Sequence, residues 1–504
     1  MPRFGFAIDN RACIGCHACT VACKSEHEVP LGVNRTWVKY IEKGEFPATR
    51  RFFNVQRCNH CEDAPCVEIC PVTSLYQRPD GIVDFDNSRC IGCKACMQAC
   101  PYDALFLDPQ TLTAAKCNYC THRVDAGYEP ACVVVCPVEA IVSGDLDDPE
   151  SKIAQLDRLQ RVQYPKPEKA TRPKLFYVGG EAAALDPAAA PPENNYLWSG
   201  NDGRITLPLL RRAGEEAEAE ARARRTYDPR SKPAPWGWMV SAYITTKAIA
   251  AGLPMVAFIA YFLNLADRAL PSEAFLLSML FLAVTGALLA ADLKQPRRFL
   301  WVLLRPQWRS WLVRGAYMIA AYSLLLPFLW LLGEIGAPRR LQLAIGWGLF
   351  ALANAVAAYT ALLLAQAKGR DYWQSPLLVV SMIVDALVAG AAMAAIADVF
   401  GAGPLRAASW DTWLGVGTAL TALLVSAEFL PRHPTRNAEL TATLITRGAL
   451  APAFWGGGVI VGIAIPAALL LVGGTAWLAA IALLVGVAAR NHVLVQAPQR
   501  VPLS

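Results

Sequence analysis

No cysteine follows Cys136 in this 504-residue chain, so any thiol-based redox or metal chemistry is confined to its beginning. Histidine is scarce: His17, His27, His60, His122, His433 and His492 are all there are, and none falls inside a long apolar run. A haem in a membrane bundle needs axial ligands such as facing histidines, so no haem is expected. No Walker A loop, no G-x-G-x-x-G after a strand-like run and no flavin fingerprint is present, which places the chemistry of any small substrate on another polypeptide. The opening MPRFGFAIDNRAC lacks a twin-arginine segment or an apolar export signal, and the first region is therefore expected to stay in the cytoplasm unless a bound partner carries it out. The net charge of +6 says little until the basic residues are located.

What is there is concentrated. Sixteen cysteines fall in four groups of four: Cys13, Cys16, Cys19 and Cys23; Cys58, Cys61, Cys66 and Cys70; Cys90, Cys93, Cys96 and Cys100; Cys117, Cys120, Cys132 and Cys136. Groups one and three follow C-x2-C-x2-C-x3-C, in which three thiolates wrap one iron–sulfur cubane and the fourth reaches the other cluster of a pair. Sixteen thiolates then make four [4Fe-4S] clusters with no remainder. Pro71, Pro101 and Pro137 follow the last cysteine of their groups, whereas group one carries Lys24 there. A disulfide framework does not need such repeats. Tetrahedral zinc suits isolated C-x2-C pairs but leaves the third cysteine unexplained.

Composition divides the chain into residues 1–150, a polar, Pro-, Ala- and charge-rich strap at 151–235, and an apolar part at 236–504. The strap contains YPKPEKATRPK and EEAEAEARARR, which read as an extended tether with one short helix around residues 214–225, either solvated or docked on a partner. Eight runs long enough to cross a bilayer lie near residues 237–264, 274–292, 313–334, 341–366, 376–400, 411–430, 449–472 and 474–491. Gly458 and Gly462 form a GxxxG that reads as close helix packing. Thirteen lysines and arginines, from Lys294 to Arg490 and Arg500, fall on the side of the cysteine region, against Arg268, Arg339, Arg340 and Arg406 opposite. The positive-inside rule then puts the cysteines on the cytoplasmic face of the plasma membrane.

Ionisable residues within apolar runs are functional candidates, because a charge in hydrocarbon costs at least about 2.5 to 3.5 kcal/mol on insertion scales. Lys247, Asp292, Asp385 and Glu428 stand out, with Lys247 roughly 15 Å into the first run at about 1.5 Å per residue. All four fall in the leaflet nearest the cysteines. Tyr243, one turn before Lys247, is placed to hydrogen-bond a quinone oxygen, and carboxylates near an ammonium suit the proton exchange of quinol oxidation. The alternative is that Lys247 merely neutralises Asp385 or Asp292.

The cysteine region resembles the four-cluster electron-transfer subunits of the dimethyl sulfoxide and polysulfide reductase complexes over residues 1 to about 200. The segment DLKQPRRFLWVLLRPQWRSWLVRGAY, Asp292 to Tyr317, resembles the signature loop of the NrfD-like polysulfide reductase anchor, a haem-free quinone-reactive membrane protein. The resemblance implies an α+β double ferredoxin-like iron–sulfur domain fused to an all-α membrane bundle of eight transmembrane helices. It also implies nested ligation, with one cluster on Cys13, Cys16, Cys19 and Cys136, one on Cys117, Cys120, Cys132 and Cys23, one on Cys58, Cys61, Cys66 and Cys100, and one on Cys90, Cys93, Cys96 and Cys70. In the anchor family the quinone site lies near the start of the first helix, where WGWMVSAYITTKAIAAG offers Tyr243, Thr246 and Lys247 but no histidine. His17 and His122, among the cysteines, are expected to tune or solvate clusters.

The function so implied is an electron-transfer and anchor subunit exchanging electrons between a membrane quinone pool and a partner catalytic subunit with a molybdenum or tungsten bis-pterin, with no nucleic acid involved. Two other readings remain at this stage. One is a quinol-oxidising or energy-converting module feeding a multihaem cytochrome, with Lys247, Asp385 and Glu428 conducting protons. The other is a redox sensor or scaffold.

Overall fold

Residues 2–44, 50–190, 223–229, 234–400 and 410–503 are described by the structure, a computed structural model. The chain divides into two units between Pro235 and Trp236, and the first unit also takes in Ala367–Arg370 and Gln499–Ser504.

The first unit is built on a four-stranded sheet of β1 (Phe4–Asp9), β8 (Ile141–Asp145), β9 (Val162–Gln163) and β10 (Leu175–Val178), in the order β8-β1-β10-β9. β1 runs antiparallel to β8 and parallel to β10, with Phe6 opposite Leu175. Ala7, Val142, Phe176 and Val178 close a small core with Ile153 of the helix α2 (Lys152–Leu159). A second sheet pairs β2 (Trp37–Lys43) with β3 (Arg50–Gln56) and β11 (Arg224–Tyr227). Two short hairpins separate the later cysteine groups: β4 (Leu75–Gln77) with β5 (Val83–Phe85), and β6 (Phe106–Leu107) with β7 (Ala114–Ala115). Group one leads into α1 (Ala18–Glu26).

The second unit contains, among the described residues, eight helices of membrane-spanning length and apolarity: α3 (Trp238–Phe262), α4 (Ser272–Asp292), α5 (Trp311–Glu334), α6 (Arg339–Ala365), α7 (Leu377–Val399), α8 (Trp410–Phe429), α10 (Pro452–Val472) and α11 (Ala476–Arg500). The amphipathic α9 (Arg436–Thr446) lies between α8 and α10. α3 is the central helix, with 78% of its apolar window buried against 17 to 50% for the others. Gly252 makes that centrality possible: a Cβ there would stand 1.8 Å from the Ala386 carbonyl of α7, so the two backbones touch. Pro254 cannot donate to the carbonyl of Ala250 one turn back, and that freed oxygen accepts from Ser278 Oγ at 2.6 Å and Tyr322 Oη at 2.7 Å. The Gly458–Gly462 motif serves packing, as a Cβ on Gly462 would meet Gly486 Cα at 2.5 Å.

Three expectations change. Residues 151–190 are not a strap, because β9 and β10 belong to the first sheet and α2 packs on it through Ile153, and β11 joins the second. The helix expected around 214–225 falls largely outside the described residues, as does Arg406. The last membrane helix runs to Arg500 rather than ending near 491, since Val493, Val495 and Ala497 are buried and keep the segment packed past the end of its apolar run. Arg490 and His492 therefore lie within a helix and not in a loop.

Candidate functional site

Each cysteine group folds around a left-handed residue. The position just before the second cysteine has positive φ in all four: Gly15 at 70°, His60 at 44°, Gly92 at 70° and Tyr119 at 64°. Glycine adopts this freely, while histidine and tyrosine bear a cost. Groups one and three add a second such residue after that cysteine, His17 at 62° and Lys94 at 63°, before their helices begin. After the last cysteine, proline stops the helix in groups two to four, and the third residue on is again left-handed in Thr73, Asp103 and Glu139. Group one has Lys24 instead, so α1 continues to Glu26, and the lysine ammonium caps the returning loop at Pro30 O, 3.1 Å, and Val33 O, 2.7 Å.

These loops bring thiols from different groups together, and all sixteen are free. Cys13 interacts with Cys136 and Cys16, and Cys19 with Cys132 and Cys13. The neighbours of Cys23 are Cys117, Cys132 and Cys120. Cys66 faces Cys100, Cys58 and Cys61, whereas Cys96 faces Cys93, Cys90, Cys70 and Cys66. Burial, reinforced by repulsion from neighbouring thiolates, pushes Cys93 and Cys120 up to about 12 and Cys19 to about 11. Thiolates so crowded in low dielectric need a bound cation to ionise. Among the described residues no three His, Cys, Asp or Glu side chains converge on a single ion, as tetrahedral zinc would require. The donor set thus fits iron–sulfur cubanes.

Buried cations accompany the thiols, and sequence reasoning missed them. Arg57 is 1% exposed and donates from Nη1 to Cys132 Sγ at 2.9 Å. Its Nε and Nη2 have no partner among the described residues, and the inorganic sulfides of a cubane are acceptors of the kind such donors require. Lys116 is buried, with its ammonium donating to the carbonyls of Val83 and Cys117. The signal was legible: Arg57 and Lys116 each immediately precede the first cysteine of a C-N-[HY]-C group. The aromatic members of those groups, His60 and Tyr119, meet edge to face at 5.4 Å.

Of the histidines expected to act on clusters, neither reaches sulfur. His17 Nε2 bonds to Tyr40 Oη at 2.8 Å, and His122 is exposed and paired with Glu26 at 2.7 Å. His27 is the one at a thiol, 3.1 Å from Cys120 Sγ. Burial, with Arg35 and His122 nearby, lowers its pKa to about 4, so its ring is neutral at pH 7.

In the second unit the five candidates separate into two clusters. Lys247 on α3 is 1% exposed and donates to Thr360 Oγ1 and, at 3.1 Å, to the Ala357 carbonyl; its ammonium lies 4.3 Å from the centre of the Tyr359 ring. Tyr243 has Tyr359 and Asp292 as electrostatic neighbours. Tyr359 and Thr360, on α6, are thus part of this cluster, although nothing in the sequence singled them out. Thr246 bonds to Thr285 of α4 at 2.8 Å.

The second cluster lines a cavity of about 100 Å³ between α7, α8, α9, α10 and α11. Asp385 and Glu428 face it, together with Tyr372, Ser375 and Arg490. Asp385 pairs with Arg490 at 2.7 Å and not with Lys247, and Ser375 Oγ reaches Glu428 at 3.3 Å. Room for the arginine comes from glycines, since Cβ atoms on Gly458, Gly462 and Gly486 would each lie 3.2 to 3.3 Å from its side chain. The next residue, Asn491, bonds to Thr245 of α3 at 3.1 Å.

A ferredoxin-like iron–sulfur unit and an apolar eight-helix bundle on one polypeptide define a multi-pass membrane electron-transfer protein, a subunit of an oxidoreductase. Comparison with known proteins agrees for both parts. A 4Fe-4S dicluster domain matches residues 49–146, and the family Polysulphide reductase, NrfD matches residues 228–502. The chain belongs to the polysulphide reductase NrfD family, extended by an iron–sulfur unit. It is 45% identical over 190 residues to the B subunit of the tetrathionate reductase of Salmonella typhimurium, covering 37% of this chain and 76% of that protein. To the B subunit of the polysulfide reductase of Wolinella succinogenes it is 41% identical over 189 residues, 36% of this chain and 98% of the relative. The arsenate respiratory reductase iron–sulfur subunit ArrB of a Shewanella species matches at 34% over 226 residues, 35% and 96% of the two proteins.

Proposed function

We propose that this chain relays electrons between a membrane quinone pool and a catalytic partner subunit carrying a molybdenum or tungsten bis-pterin, and anchors that partner to the membrane. The observation that carries the reading is the joining, in one chain, of sixteen free thiols in an iron–sulfur unit and an NrfD bundle, with relatives named as iron–sulfur or B subunits of reductases.

Four [4Fe-4S] clusters are held by Cys13, Cys16, Cys19 and Cys136; by Cys117, Cys120, Cys132 and Cys23; by Cys58, Cys61, Cys66 and Cys100; and by Cys90, Cys93, Cys96 and Cys70. The mutual electrostatics of these thiols support that grouping. When bound, such clusters supply one-electron transfer. Quinol releases two electrons and two protons, and the chain's own residues deal with the protons. Lys247, held by Thr360 and Ala357, presents its ammonium to a quinone oxygen, with Tyr243 as a second contact. Asp385 and Glu428 exchange protons through waters in their cavity. Asp292 stands beside Tyr243 at the end of α4. No haem takes part, and the iron–sulfur unit faces the cytoplasm, as the basic loops favour.

Gentle detergent extraction of the complex from native membranes, with metal analysis and identification of each subunit, tests the reading. A large partner containing molybdenum or tungsten, together with bleaching of the iron–sulfur absorbance by added quinol, supports it. A multihaem partner with neither metal overturns it.

A further inference from the structure

The thiol set Cys23, Cys117, Cys120 and Cys132 differs from the others in what reaches its sulfurs. Arg57 Nη1 donates to Cys132 at 2.9 Å, and His27 Nε2 lies 3.1 Å from Cys120. The guanidinium cannot turn to water, being buried with Phe6 stacked 4.6 Å beneath it. The other sulfurs are approached mostly by backbone N–H groups and hydroxyls, with Lys116 at Cys58 the exception. Backbone N–H groups approach Cys58 at 3.5 Å and Cys90 at 3.4 Å, and the hydroxyl of Thr171 serves Cys61. Lys116 also hydrogen-bonds Cys58, with its ammonium shared between that sulfur and two carbonyls.

We propose that Arg57 and His27 are potential-setting residues for the one cluster on Cys23, Cys117, Cys120 and Cys132, raising its reduction potential so that an electron in the relay settles there in preference to the neighbouring set on Cys13, Cys16, Cys19 and Cys136. The inference rests on the four-cluster reading above and adds to it which cluster is tuned and by which side chains. Reduction adds one negative charge to a buried cluster and reoxidation removes it. A permanent cation at a ligand sulfur stabilises the reduced form, and a hydrogen bond to a second sulfur adds to the effect. Arg57 keeps its proton throughout, so the step is one electron in and one electron out with no proton transferred at this site. Arg57 also adjoins Cys19 and Cys117, but its hydrogen bond goes to Cys132, which sets the direction of the bias.

The test is a redox titration of the intact protein followed by electron paramagnetic resonance, with iron and sulfide counted in parallel. Arg57→Gln is expected to lower one component at least tenfold in its reduced-to-oxidised ratio at fixed potential, about 59 mV for one electron. Arg57→Lys should lower the same component less. His27→Gln, at a half-buried position, should lower that component too, and Cys23→Ser should abolish it. If Arg57→Gln fails to assemble, the His27→Gln shift decides. No shift at full iron content, or shifts of different components in the Arg57 and His27 variants, overturns the inference alone. Wild-type protein with less than four cubanes' worth of iron overturns the four-cluster reading beneath it.

Discussion

Arg490 of α11 and Asp385 of α7 form an ion pair at 2.7 Å, with only 11% and 16% of their side chains exposed. Removing one partner strands the other in an apolar bundle. Arg490→Gln is therefore expected to cost about 3 kcal/mol, and Arg490→Gln with Asp385→Asn to recover most of it. Thermal unfolding in detergent measures both; equal losses in the single and double variants would show the pair to be idle.

Lys247 has no carboxylate among its described partners, so Lys247→Met leaves no buried charge unpaired. The variant should assemble with normal iron content, while quinol-driven bleaching of the iron–sulfur absorbance slows at least about tenfold, as for the loss of a group acting in proton transfer. Dithionite, which bypasses the quinone, should reduce it at the wild-type rate. Unchanged quinol kinetics would remove Lys247 from the site.

The proposed nested ligation makes an unusual demand on substitution. Cys70→Ser and Cys90→Ser, twenty residues apart, should erase the same spectroscopic component, whereas Cys70→Ser and Cys66→Ser, four apart, should erase different ones. Spectra of the three variants at matched iron content check this. Components lost by sequence group would point to un-nested clusters.

Lys39 of β2 is buried at 1% exposure, and its pKa is pushed down to about 7, chiefly by burial and then by Arg225, with Asp228 opposing. Lys166 lowers it further and Asp103 raises it, both to a smaller extent. The unfolded chain binds this proton more tightly, so between pH 7 and about 10.5 stability attributable to this residue rises with pH, and below 7 the full penalty is present. Lys39→Met is accordingly expected to raise the temperature of cluster loss most at pH 6, with a gain that shrinks toward pH 10. A gain constant with pH would mean packing, not charge, is responsible.

Much of this arrangement could be read from residues alone. The four cysteine groups and eight apolar runs are strong local signals, because metal ligation and bilayer thickness impose fixed spacings. β10 escaped notice because four apolar residues are too few for a periodic pattern and the prolines before them, Pro165, Pro167 and Pro173, read as tether; its place beside β1 is set by partners far off in sequence. α11 was cut short because HVLVQAPQR mixes polar residues with a proline, yet Val493, Val495 and Ala497 are buried. Spacing could not reveal that Asp385 belongs with Arg490, nor that Tyr359 stands over Lys247, since both pairings join separate helices. The contact of Arg57 with sulfur depended on a turn that only the folded loop supplies.

His17, His60, Lys94, Tyr119 and Cys120 all hold positive φ in the cysteine loops. For residues with a side chain such geometry costs roughly 1–2 kcal/mol apiece, and the thiolates those turns would gather repel one another. The polypeptide by itself therefore has little reason to adopt this shape, and the energy of metal ligation becomes the energy of folding. For this unit iron is scaffolding before it is wiring: the yield of native protease-resistant chain should track the iron supply during synthesis, and a chain equally resistant when made without iron would show that the loops stand unaided.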